Sequence, residues 1–79
     1  MPRYFFDIHD KGSLRDDEGM ECADLNEVRE SARRTLPDIA RDGILQDRDR
    51  RSFTCLVTDE EGHPVYSATL TYTGLWLLR

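Results

Sequence analysis

Arg3–His9 is rich in aromatic and β-branched residues with a period of two, which places Tyr4, Phe6 and Ile8 on one face and Phe5, Asp7 and His9 on the other. That period of two predicts a first strand. Asp10-Lys11-Gly12-Ser13 supplies a turn, after which Leu14 to Asp16 can return antiparallel. A second break at Asp17-Glu18-Gly19 makes this second strand short or bulged, with Met20-Glu21-Cys22 extended beyond it.

The period then changes. Leu25, Val28, Ala32, Leu36 and Ile39 recur at spacings of three and four, the stripe of an amphipathic helix. Asp24 with Glu27 three residues later has the side chains of a capping box. Pro37 removes an amide donor inside this pattern, which predicts a kink or a restart there. Gly43 is expected to end the helix as a left-handed cap, with Ile44 and Leu45 packing back on it. Gln46 to Arg51 alternates in charge and has no apolar residue, so it is expected to be a solvated loop.

Alternation returns at Phe53, Cys55 and Val57, the third strand. Asp59 to Pro64 turns the chain into a fourth, Val65–Thr73, in which Tyr66, Ala68, Leu70 and Tyr72 share one face and Ser67, Thr69, Thr71 and Thr73 the other. The expected architecture is α+β, ββαββ: one kinked helix on a four-stranded antiparallel sheet, strand order 2-1-3-4. The helix after strand two returns the chain so that strand three can run antiparallel to the apolar, central strand one. Residues 1–79 form one domain, with 74–79 an apolar tail, because 79 residues leave no room for two cores.

Met1-Pro2-Arg3-Tyr4-Phe5-Phe6-Asp7-Ile8-His9-Asp10, then Asp17, Gly19 and Glu21, then Asp24-Leu25, then Val57-Thr58-Asp59-Glu60-Glu61-Gly62, resemble a family of small bacterial proteins catalogued only as a domain of unknown function. The opening M-P-x-Y-F-F is the specific element, and the resemblance runs to about Tyr72. It implies no reaction, cofactor or ligand, and it does not extend to Pro37 or to Gly74-Leu75-Trp76-Leu77-Leu78-Arg79.

Charge and chemistry narrow the function. Sixteen carboxylates against eleven cationic residues give a net charge of -5, which repels a polyanion unless arginines gather on one face. Arg33, Arg34, Arg41, Arg48, Arg50 and Arg51 could form such an edge, but Asp38, Asp42, Asp47 and Asp49 interleave with them. A nucleic-acid-binding adaptor is therefore the alternative, and nucleic acid is not the expected partner. No signal peptide or spanning helix is apparent, so a cytoplasmic protein with no membrane contact is expected, with Cys22 and Cys55 as free thiols. Asp7, His9 and Asp16 could share a sheet face and hold a divalent ion, but opposed aspartates weaken a ladder, and a solvated polar face is the expected reading. His63 is expected to be turn chemistry. No nucleophile with a base, phosphate loop or paired-carboxylate cleft is present, so neither an enzyme nor a cofactor or metal is expected.

A non-enzymatic interaction or regulatory module remains, antitoxin-like by analogy of architecture. The fourth strand lies at a sheet edge and carries no charge or proline over Val65–Thr73. Leu75-Trp76-Leu77-Leu78 is the most apolar stretch present. The candidate interface is therefore Tyr66, Leu70, Tyr72, Leu75, Trp76, Leu77 and Leu78, serving a homodimer and an unidentified protein partner, with burial of the tail on its own domain as the competing reading.

Overall fold

The computed structural model describes residues 2–10, 12–46 and 50–78, with the backbone alone for Ser13 and residues 42–46. The elements are β1 (Arg3–His9), β2 (Ser13–Leu14), β3 (Met20–Glu21), α1 (Leu25–Gln46), β4 (Arg50–Thr58) and β5 (Pro64–Thr73). Every strand pairing is antiparallel and the sheet order is β2-β1-β4-β5, the expected 2-1-3-4 arrangement. The extended Met20–Glu21 stretch is a separate strand, β3. It pairs with Arg3 and Tyr4 at the start of β1, while β2 pairs with Ile8 and His9 at its end.

Between these two short strands the Asp16 side chain takes the place of a ladder. Its Oδ2 accepts from the Phe6 amide at 3.0 Å and its Oδ1 from Gly19 at 3.0 Å and Glu18 at 3.2 Å. Asp7 Oδ1 accepts from the Asp16 amide at 2.9 Å, fastening the loop from the other side. The second strand consequently stops at Leu14 instead of reaching Asp16, because Asp16 is needed as an acceptor facing β1.

The start of α1 follows the expected cap. Asp24 Oδ1 accepts from the Glu27 amide at 3.0 Å, and Glu27 reaches back to the Ala23 amide. The helix passes Pro37 without a break. Arg33, whose carbonyl would have used the missing donor, is exposed, so water can serve it. Gly43 does not end the helix, which runs on to Gln46. The expected packing of Ile44 and Leu45 falls on side chains outside the described residues, as do Asp47–Asp49 of the expected loop.

The core lies between α1 and the face of the sheet bearing Ile8, Phe53, Cys55 and Val57, which meet Cys22, Val28, Ala32, Leu36 and Ala40. Tyr4, Phe6, Ile39, Tyr66 and Ala68 pack around it. The helix lies over β4 and β5. Leu25, the first member of the predicted stripe, is instead exposed. It is on the right side of the helix but at its first residue, where it borders a hollow with Val28, Val65 and Tyr66. On the opposite face no helix among the described residues covers the sheet, and hydroxyls pair across the strands there, Ser52 with Thr71 at 3.2 Å and Thr54 with Thr69 at 3.1 Å.

Arg50 and Arg51 belong to β4, not to a loop. The Arg51 guanidinium sits 5.0 Å from the centre of the Phe53 ring and 3.2 Å from Asp10. Stacking and pairing together make an arginine compatible with an inward strand position.

Gly19 has a φ of 75°, and a Cβ there would lie 2.8 Å from Arg3 Cγ and 2.9 Å from Phe5 Cε1. Gly19→Ala is expected to lower stability by about 1–3 kcal/mol, from backbone strain and the clash together. Thermal unfolding checks this, with Gly12→Ala, where nothing lies within 4 Å of the new Cβ, as a near-neutral control.

Candidate functional site

β5 is the last strand of the sheet, and its outer edge has no neighbour among the described residues. It is ten residues long, whereas the opposite edge of β1 is occupied by β2, β3 and the Asp16 carboxylate. A long, uncharged edge offers a row of backbone donors and acceptors to another strand.

Of the predicted interface residues, Tyr66, Leu70 and Tyr72 line the helix-facing side of β5, opposite Val57, Phe53 and Arg51 of β4. Tyr66 is half-buried against the core, while Leu70 and Tyr72 retain 37% and 38% exposure. Leu75, Trp76, Leu77 and Leu78 follow as an unpaired segment, and each is about 80% exposed (78–86%). The segment is not folded onto its own domain, and the molecule spans 55 Å in its longest dimension against 22 and 18 Å in the others. The structure thus brings together three of the candidate residues on one strand face and continues from them into four uncovered apolar side chains.

Leu25 and Val65 were not among the expected interface residues. Both are exposed, at 60% and 37%, and with Asn26, Val28, Arg29 and Tyr66 they line a hollow of about 200 Å³ at the opposite end of β5. Val65 is turned out by an irregularity in the ladder. Val57 pairs with Tyr66 but Thr58 pairs with Pro64, so Val65 has no partner in β4. Unpaired Val65 beside a helix start could have been sought in the sequence only with the register known.

The polar constellations resolve differently. Asp7 and Asp16 do meet, but as acceptors for backbone amides and not as a pair of free carboxylates. Partial burial pushes the Asp16 carboxyl up, and the amides of Phe6, Gly19 and Glu18, with the Arg3 charge, outweigh it and hold it below its ordinary value. With Asp17, Asp59 and Glu60 they border a hollow of about 270 Å³. Asp59, Glu61 and His63 bring one ligand-capable atom each to within 4.8 Å of one another. Asp59 Oδ1 is already engaged there, accepting from the Glu61 and His63 amides at 2.9 Å each, and the His63 amide bond is the chief reason its carboxyl is held low.

Both cysteines are buried free thiols in the core. Burial pushes both up, with Glu27 adding to the effect at Cys22 and Asp7 at Cys55. That is the reverse of an activated nucleophile. Among the arginines, Arg33 pairs with Glu30 at 3.4 Å and Arg41 with Asp38 at 2.6 Å, both on the solvent side of α1. No helix among the described residues is long and apolar enough to cross a membrane.

Residues 3–71 match a domain of unknown function, DUF6894. The chain belongs to that family. No curated protein and no solved structure matches it. The DUF6894 match takes in β1 through most of β5 and stops before Tyr72, so of the candidate surface Tyr66 and Leu70 lie within the matched stretch, and Tyr72 and the Leu75–Leu78 segment lie outside it.

Asp16→Asn replaces an acceptor with a donor that faces an amide, and is expected to cost about 1–3 kcal/mol at neutral pH. A carboxyl held low in the folded state stabilises above its unfolded value of about 3.8 and loses that contribution as pH falls through the folded value. The wild-type advantage over Asp16→Asn should therefore be full at pH 6–7 and shrink below about pH 4, as chemical denaturation at a series of pH values would show. A thiol reagent should leave both cysteines of the native protein slow to react and titrate two thiols once it is unfolded.

Proposed function

We propose that this DUF6894 domain is a non-enzymatic protein–protein interaction module and that its β5 edge joins it to a second copy of itself about a two-fold axis. The observation that carries this reading is the long open edge of β5, uncharged over Val65–Thr73 and continued by four exposed apolar side chains. Small domains gain stability by association, because a core of this size supplies only about 3–5 kcal/mol. An antiparallel pairing of β5 with its mate uses the same patch on both subunits, which a two-fold axis requires. The buried thiols in the core and the amide-bonded Asp16 carboxylate at the β1 edge support a non-enzymatic reading. The pairing of Arg33 and Arg41 within their own helix favours a protein partner over a nucleic acid.

Thr71→Lys puts a charge towards the end of β5, at the centre of the uncharged run from Val65 to Leu77, without touching the core, and should raise the dimer dissociation constant at least about tenfold, since like charges would meet near the axis. Light scattering at several concentrations reads the effect. A wild type that stays monomeric at the highest concentration overturns the reading. Removal of residues 74–79 should weaken the dimer while leaving the folded monomer's circular dichroism unchanged.

A further inference from the structure

We propose that Trp76 of each copy docks into the hollow between the start of α1 and the start of β5 on the other copy, lined by Leu25, Val28, Val65 and Tyr66. This rests on the β5 pairing proposed above and specifies what anchors it. The hollow is an uncovered apolar site at one end of β5, and Trp76 is an uncovered aromatic just past the other end.

The occupant follows from reach. Seven residues of strand separate Tyr66 from Thr73, about 23 Å at ~3.3 Å per residue. From Thr73 the three residues to Trp76 extend about 10 Å at most. A chain cannot bring Trp76 back to its own hollow, so the indole that fills it must come from a second copy.

The register follows from strand geometry. A two-fold axis perpendicular to the sheet keeps both helices on one side and sets residues of the same face opposite each other. Even-numbered positions from Tyr66 to Tyr72 face α1, and in an extended continuation Trp76 does too. Opposed residues sharing a face require the axis to pass through a residue position, not between two. An axis at Thr71 pairs the uncharged run from Val65 to Leu77 over its whole length and sets Trp76 opposite Tyr66 of the second copy. Directly opposed Cβ atoms lie about 5 Å apart, which delivers the indole to the hollow over Tyr66. Arg29 on its rim is then placed to stack on the indole face. Strand pairing by itself buries little apolar surface, and a seated aromatic supplies the anchor that stable interfaces use.

Trp76 is the single tryptophan, so its fluorescence reports the site alone. Over a concentration series, its emission should shift to shorter wavelength and resist quenching in step with the rise in mass seen by light scattering. Leu25→Lys alters an exposed residue of the hollow and should abolish the shift, while a dimer still forms with an affinity at least about tenfold lower. Isotope-filtered NMR on a mixture of labelled and unlabelled wild-type protein should show contacts between the Trp76 indole and the Leu25 and Val65 methyls of the other copy. A protein that stays monomeric overturns the dimer and the docking together. A dimer in which Trp76 remains solvent-like, or lacks those intermolecular contacts, overturns the docking and leaves the β5 pairing standing.

Discussion

The carboxylate of Asp16 is the interaction on which this sheet's outline depends. Two-residue strands are too short to hold an edge by themselves, and β2 and β3 touch β1 only at its two ends. In the gap between them one side chain accepts three backbone amides, one from β1 itself and two from its own loop. Asp7 returns the favour by accepting from the Asp16 amide. The result is a strand edge finished by a side chain, with Gly19 at positive φ allowing the loop to pass close over Phe5 and Arg3.

The core is built mostly from small and medium-sized side chains. Where α1 crosses the sheet it presents Val28, Ser31, Ala32, Leu36 and Ala40, and β4 meets it with Phe53, Cys55 and Val57. Small side chains let helix and sheet approach closely, and Phe53 supplies the one large ring that is fully buried. Cys22 continues the extended chain past β3 with its amide bonded to the Pro2 carbonyl at 3.0 Å, which carries its thiol into the same cluster. Two cysteines therefore serve as compact apolar groups in a space that larger residues would overfill.

Much of this was legible in the sequence because period and capping are local properties. The alternation at Tyr4, Phe6 and Ile8, the repeat from Val28 to Leu36 and the Asp24–Glu27 box each name their own element. The misses arise where a distant group changes what a residue does. Arg51 reads as loop until Asp10 and the Phe53 ring are seen beside it. Asp16 reads as a solvated carboxylate until the Phe6 amide is found facing it. Gly43 reads as a cap by its own preference, yet the helix continues past it to Gln46. Of the candidate surface, Tyr66, Leu70, Tyr72 and the Leu75–Leu78 segment were legible. Leu25 and Val65 were not, since their exposure depends on where the helix starts over the sheet and on the ladder irregularity at Thr58.

A sheet with one finished side and one unfinished side has a built-in limit to growth. A strand added at β5 finds ready partners, but the far margin of the added copy is its own β1, already plugged by β2, β3 and Asp16. The hydroxyl rows on the bare face give a stacking neighbour little apolar purchase. In the proposed β5 pairing, edge-to-edge addition would therefore end at two units instead of propagating into a fibre.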